Sequence, residues 1–214
     1  MDDWREVVER GYDRIGDRYL HIRTSGRDAG APFLAMAIER MPTAGIAIDL
    51  GCGPGRPVTA KLSARGLAIG VDISFEQLRL ARREAPNARL IRADITSVAF
   101  QSRSVDVVAA FHVLNHVPPR FVSMLLRSIA GWLRDGGTLV ASFPAGELSE
   151  SIEPDWLGEP MFFAGIDVGE SIQLLDGAGF DLLRSEIVTA SGPDGELERF
   201  LWIVADRRSA AASP

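Results

Sequence analysis

The chain has 214 residues, 46% apolar and 24% charged, the balance of one globular domain with a substantial core. A formal net charge of −6 counts against a large basic nucleic-acid footprint and favours a small-molecule partner. Cys52 is the only cysteine, so no intramolecular disulfide forms, and no apolar run nears the roughly 20 residues of a bilayer span.

The acidic opening MDDWREVVER lacks the cationic and apolar regions of a signal peptide, so a cytoplasmic location without a membrane partner is expected. Trp4, Val7, Val8, Ile15 and Tyr19 fall near one helical stripe that Gly11 and Gly16 interrupt, which predicts a bent or broken helix. The stretch TSGRDAGA then leads into a second helix with the apolar face Phe33, Leu34, Ala37, Ile38 and Met41, and Pro42 stops it. Residues 1–42 are thus expected to form a helical cover on a single domain that runs to residue 206. The stretch RRSAAASP, residues 207–214, reads as a frayed tail.

Ile46 to Pro57, IAIDLGCGPGRP, is a short apolar run that ends at Asp49 and breaks into Gly51, Gly53 and Gly55. This fits a buried strand turning tightly into a helix, where glycines allow backbone to approach a ligand and the helix start offers unpaired N–H groups. A dinucleotide fingerprint wants G-x-G-x-x-G. Here Arg56 stands three after Gly53, and the third glycine comes one residue early. A helix over Val58 to Arg65 and a second strand over Leu67 to Asp72 follow. Asp72, with Ile73 beside it, lies 21 positions after Gly51, near the spacing of about 20 at which a Rossmann-like unit presents a carboxylate to ribose hydroxyls. The other reading of Asp72, a cap for the next helix, is weakened because Ser74 is the better cap before FEQLRLARREA.

The helix Phe75 to Ala85 buries Leu78, Ala81 and Ala85, and Pro86 follows it. ARLIRADI is a third strand with Asp94 at its carboxyl edge, where Asp94 either accepts from a purine amino group or starts the turn around Thr96 and Ser97. Ile95 is positioned to cover an adenine face. A fourth strand spans Val105 to Ala110, and Phe111 and His112 at its edge are candidates to line a cofactor or substrate pocket. His112 and His116 are four apart, but no third ligand accompanies them, so no metal site is expected, and His116 reads as a structural hydrogen-bonding residue.

A helix from Arg120 to Arg134 buries Phe121, Leu125, Ile129, Trp132 and Leu133, and the Asp135–Gly137 turn opens a fifth strand, TLVASF, ended by Pro144. Ala145 to Gly165 reads as a long irregular segment in which Trp156, Met161, Phe162 and Phe163 serve as a lid or substrate wall, or else simply cover the core. A helix through Ile172, Leu175 and Ala178 follows. Strands Asp181 to Thr189 and Glu196 to Asp206 are then joined by a hairpin turn at Gly192 to Gly195, which puts an antiparallel end on an otherwise parallel sheet.

IDLGCGPG, VDIS, RADI, VVAAFHVLNHV, LRDGGTLV, GAGF and FLWIVADR, in this order, resemble the class I S-adenosylmethionine-dependent methyltransferases over Tyr12 to Asp206. The resemblance implies a Rossmann-like α/β fold: a seven-stranded mixed sheet in the order 3-2-1-4-5-7-6, helices on both faces, and the last-numbered strand antiparallel. It implies S-adenosylmethionine as cofactor and S-adenosylhomocysteine as product. Asp49 would help hold the cofactor's amino group, Gly51 and Gly53 would approach its methionine portion, Asp72 would bind ribose, Asp94 and Ile95 would hold adenine, and Phe111 would lie near it. YDRIGDRY, Tyr12 to Tyr19, is similar to a tyrosine-bearing entry segment, which makes Tyr19 a candidate for the amino acid end. Asn115 in LNHV departs from the family pattern, so no base role carries over to it.

The reaction so implied is in-line methyl transfer to a small, partly hydrophobic metabolite, with no nucleic acid as partner. His112 is the candidate base or substrate orienter, because an imidazole titrates near neutral pH. The acceptor atom and the oligomeric state stay open. Two other readings share the motifs: a non-catalytic S-adenosylmethionine-binding protein, and a nicotinamide-dependent oxidoreductase, against which the displaced glycine and the terminal hairpin count.

Overall fold

The computed structural model describes residues 3–25, 29–146, 149–192 and 194–209. Helix α1, Trp4–Ile15, ends at Gly16 (φ 51°), and α2, Asp17–Ser25, starts in a new direction, so the expected break is at Gly16. Gly11 does not break α1. It lets the helix approach the chain opposite, since a Cβ there would stand 2.7 Å from Met161 Cε and 3.0 Å from the Pro160 carbonyl oxygen. Helix α3, Ala31–Arg40, completes the cover.

The alternating segment folds as β1 (Ile46–Leu50), α4 (Val58–Ser63), β2 (Leu67–Asp72), α5 (Phe75–Glu84), β3 (Arg89–Arg92), β4 (Val105–Ala110), α6 (Pro119–Trp132) and β5 (Leu133–Pro144). Ser74 caps α5, accepting from the Gln77 N–H at 3.1 Å. Strand β5 begins five residues earlier than expected. Asp135 to Gly137 lies within it as an irregularity, with Gly136 at φ 73°, and the register against β4 jumps from Val105↔Leu133 to Val107↔Thr138.

The segment after Pro144 is not irregular. Strands β6 (Ser151–Trp156) and β7 (Glu159–Phe163) pair as an antiparallel hairpin. Trp156 opposes Glu159 across a two-residue loop, Leu157 and Gly158, both at positive φ as a primed turn requires. Helix α7 (Val168–Gly177), β8 (Phe180–Ser191) and β9 (Leu197–Arg207) complete the chain. The hairpin between β8 and β9 is as expected, although Pro193 of its turn lies outside the described residues. Arg207 closes β9 and Arg208 pairs with Asp176 and Asp181, so these two belong to the folded domain. Residues 210–214 of the expected tail lie outside the described residues.

The main sheet runs β3-β2-β1-β4-β5-β9-β8, parallel from β3 to β5, with β9 antiparallel to both neighbours. With the separate hairpin set aside, this is the implied order 3-2-1-4-5-7-6. Alternation along the central strands feeds two cores. Val108, Ala110, Ile203 and Ala205 join Leu125, Ile129 and Trp132 of α6 on one face, whereas Val107, Ala109, Trp202 and Val204 join Phe33, Leu34 and Ala37 of α3 on the other. A third cluster, with Val7, Val8, Tyr12, Ile15 and Tyr19 against Trp156, Met161 and Phe162, fixes the N-terminal helices over the carboxyl ends of the strands.

Candidate functional site

The turn after β1 puts Gly51 at φ 66°, Gly53 at 51° and Gly55 at 83°, all in the left-handed region that favours glycine. A Cβ on Gly51 would lie 2.4 Å from Val113 Cγ2, so the turn packs without side chains under the loop after β4. Gly55 serves a different purpose: its Cβ would meet Ala81 of α5 and Ala85 at that helix's C-cap at 3.1–3.3 Å, so the third glycine brings the helix close. Arg56 turns outward to Glu84, at 2.6 Å.

Asp72, at the end of β2, closes the turn from the other side. Its Oδ2 accepts from the Gly53 N–H at 2.7 Å and its Oδ1 from the Ser74 N–H at 2.9 Å, which leaves acceptor positions on both oxygens for hydroxyl donors. Burial pushes its pKa up to about 6 against the pull of those N–H groups. Asp49 is buried and accepts from Thr59 Oγ1 at 2.5 Å. Burial and the charges of Asp72 and Asp49 push the Cys52 thiol well above its ordinary value, so it stays protonated at neutral pH.

Asp94 lies two residues beyond the end of β3. Its Oδ1 accepts from the Thr96 N–H at 2.8 Å, which makes the turn, and the residue lines the same cavity as Asp72. Its Oδ2 accepts from Arg5 Nε at 2.6 Å and Thr96 Oγ1 at 2.6 Å, and the Arg5 guanidinium also lies over the Trp4 ring, 4.4 Å from its centroid. Burial pushes the Asp94 carboxyl up. The hydrogen bonds from Arg5 and Thr96 more than offset it, leaving the pKa below the ordinary carboxylate value.

Tyr19, Gly51, Gly53, Asp72, Ile73, Asp94, Ile95, Phe111 and His112 border one cavity, roofed by Trp4, Val8 and Tyr12 of α1. Asp49 borders an adjoining recess that shares Tyr19, Gly51, Gly53 and Phe111. All nine residues expected to hold a cofactor therefore converge. The roof is held in place because Asp13 accepts from Ser74 Oγ at 2.6 Å and the Glu76 N–H at 3.0 Å, while Gln77 Nε2 donates to the Tyr12 carbonyl at 3.1 Å.

His112 has φ 51°, an uncommon conformation for a residue with a side chain, and its N–H donates to Ser142 Oγ at 2.8 Å. Its ring stands edge-on to Phe200 (4.6 Å) and Trp202 (5.1 Å) at one side of the cavity. His116 is buried and structural. Its Nδ1 faces the Phe162 carbonyl oxygen at 2.7 Å and must carry the proton, so its Nε2 accepts from Tyr12 Oη at 2.9 Å and Asn115 Nδ2 at 3.3 Å. Burial lowers its pKa to about 4. Among the described residues, no three His, Cys, Asp or Glu side chains are grouped to hold a metal ion.

The expected substrate wall divides. Trp156 and Phe163 border a second, more open cleft, whereas Met161 and Phe162 line neither space. Met161 is fully buried against Gly11 and Phe162 packs on Trp4 at 5.9 Å, so these two side chains are packing beneath the wall rather than part of it. Packed pairs of rings separate the two spaces: Trp156 on the cleft side against Tyr12 (5.8 Å) and Tyr19 (6.2 Å) on the cavity side, and Phe200 against His112. Sequence reasoning missed Arg5, whose partner Asp94 is 89 positions away. Trp4 and Val8 carried only the signal of an amphipathic stripe.

A methyltransferase-domain family model matches residues 48–141, from β1 into β5. The trans-aconitate 2-methyltransferase of Azoarcus sp. (strain BH72) is 36% identical over 112 residues, 50% of this chain and 43% of that protein. The demethylmenaquinone methyltransferase of Roseiflexus castenholzii is 29% identical over 145 residues, 64% of this chain and 60% of that protein. The matches thus span about half the length of these curated relatives. The structure of magnesium protoporphyrin IX methyltransferase from Synechocystis PCC 6803 superposes with a TM-score of 0.73 over 97% of this chain and 98% of that one, at 18% identity, which bears on the fold alone. With the sheet order, the ordered motifs and the family match in agreement, the chain belongs to the class I S-adenosylmethionine-dependent methyltransferases.

Proposed function

We propose that this chain transfers the methyl group of S-adenosylmethionine to a small, partly apolar metabolite. The observation that carries the reading is the convergence of the glycine turn, Asp72 and Asp94–Ile95 on one roofed cavity. The residues fit the cofactor. The buried Asp72 carboxylate keeps acceptor positions for two ribose hydroxyls, Ile73 and Ile95 offer apolar cover for adenine, and Asp94, oriented by Arg5, accepts from the adenine amino group. Asp49, Gly51, Gly53 and the Tyr19 hydroxyl take the amino acid end, with Phe111 beside them.

The bound cofactor supplies a methyl group already activated on a sulfonium. The chain's own contribution is then to align the acceptor, exclude water and hold a proton. Trp4, Val8 and Tyr12 do the excluding from α1. His112, between the cavity and Phe200, is the residue we assign to orienting the acceptor or taking its proton. The small-molecule acceptor is supported by the relatives, which are named for trans-aconitate and demethylmenaquinone. Incubation with methyl-labelled S-adenosylmethionine and a metabolite extract tests the proposal. Labelled product and S-adenosylhomocysteine are expected in equal amounts, and labelling of RNA but of no metabolite would refute it.

A further inference from the structure

Strand β1 and helix α4, on either side of the glycine turn, are joined by a buried side-chain bond. Thr59 Oγ1 donates to Asp49 Oδ2 at 2.5 Å, and the two residues are 0% and 2% exposed. Thr59 is held by its helix, because Val58 and Leu62 of α4 pack in the core that also holds Ala47 of β1 and Val107 and Ala109 of β4. A threonine hydroxyl in a helix commonly bonds back to the carbonyl four residues earlier. Here that carbonyl, of Gly55, accepts from the Ala60 N–H at 2.9 Å, and the Thr59 hydroxyl goes to the acid of the neighbouring strand. Asp49 in turn borders the recess at the amino acid end, beside Tyr19, Gly51, Gly53 and Phe111. Arg56, the other charged residue among the described ones that border this recess, is paired outward with Glu84.

The terminal torsion of an aspartate is broad, so a carboxylate without a fixed partner spreads its acceptor directions. A short, charge-assisted bond from a β-branched residue in a packed helix sets the plane of that carboxylate. We infer that Thr59 is a positioning residue for the cofactor, fixing the Asp49 carboxylate in the orientation that receives the cofactor's ammonium group. Thr59 itself borders neither the cavity nor the recess, so it acts through Asp49 alone. Its effect is therefore confined to ligands that carry the amino acid end and spares the adenosine part. The inference rests on the cofactor reading above, in which Asp49 takes that end, and adds the residue that orients it.

Titration calorimetry compares the whole chain with Thr59→Val, which keeps the shape and removes the hydroxyl, and with Thr59→Ser, which keeps the hydroxyl. The ligands are S-adenosylhomocysteine and 5′-methylthioadenosine, two thioethers that share the adenosine part and differ in the amino acid end. Thr59→Val should weaken S-adenosylhomocysteine about tenfold and leave 5′-methylthioadenosine within about twofold, while Thr59→Ser stays close to wild type. An unchanged S-adenosylhomocysteine affinity, equal losses for both ligands, or a serine variant as weak as the valine one would each overturn the inference. Removing the donor from a buried carboxylate also costs stability, so Thr59→Val is repeated on Asp49→Asn, where no charge is left behind. There it should have no further effect on S-adenosylhomocysteine, and a second tenfold loss would show that Thr59 does not act through Asp49. A wild type that binds neither S-adenosylmethionine nor S-adenosylhomocysteine would overturn the cofactor reading itself.

Discussion

His116 makes stability depend on pH in a direction that can be calculated. Burial lowers its pKa from 6.5 to about 4, against the opposing pull of the hydrogen bond to the Phe162 carbonyl. The folded-state value is below the unfolded one, so the neutral ring carries no penalty above pH 6.5, and stability is lost as pH falls from there toward 4. Between pH 7 and pH 5 the unfolded chain takes up a proton that the folded chain refuses, and this linkage costs about 2 kcal/mol. Asp72 acts in the opposite sense. Its folded value is raised from 3.8 to about 6, so the folded chain takes up a proton first and gains about 1 kcal/mol over the same interval. The wild-type curve mixes the two, and His116→Gln isolates the first, since the amide can donate to Phe162 and accept from Tyr12 without titrating. Urea unfolding followed by tryptophan fluorescence at pH 7 and pH 5 should show wild type losing about 2 kcal/mol more than the variant. An identical pH dependence in the two proteins would refute the neutral, Nδ1-protonated ring.

Three more outcomes follow from the site. Gly51→Ala places a methyl 2.4 Å from Val113 Cγ2 at φ 66°, which should cost about 1–3 kcal/mol in a thermal melt and weaken S-adenosylmethionine more than about tenfold by calorimetry. Arg5→Met removes the bond to Asp94 while keeping apolar cover. For this partly exposed pair the loss is about 1 kcal/mol, and stopped-flow should show the cofactor leaving several-fold faster because the α1 roof is held less firmly. The ribose role proposed for Asp72 needs its carboxylate, and with its pKa pushed up to about 6 in the free chain, cofactor affinity should fall about tenfold between pH 7 and pH 5; a flat profile would contradict that role.

The parts of this molecule that are local in sequence are legible there. β1, β2 and β4 have the bounds that their apolar runs and flanking turns predict, because buried parallel strands need continuous apolar side chains, and the glycine turn announces itself by spacing. The β6–β7 hairpin is hidden. Pro154 argues against a strand, and its turn is Leu157-Gly158 rather than one of the dipeptides that signal a primed turn. That misreading also assigned Met161 and Phe162 to a wall, although adjacent aromatic and apolar residues cannot reveal which of them face inward. The Arg5–Asp94 pair and the Asn115–His116–Phe162 chain join residues far apart in sequence, and only the fold brings them into register.

On the function proposed here, the cavity between the glycine turn, Asp72 and Asp94 takes S-adenosylmethionine. Titration calorimetry of the wild type and Asp72→Ala with S-adenosylmethionine, S-adenosylhomocysteine and a nicotinamide dinucleotide tests it most directly. One S-adenosylmethionine and one S-adenosylhomocysteine should bind competitively per chain, the nicotinamide dinucleotide should give no binding, and Asp72→Ala should weaken both ligands at least about tenfold through the lost charged acceptor. Binding of the nicotinamide dinucleotide instead, or S-adenosylmethionine binding that Asp72→Ala leaves unchanged, would contradict it.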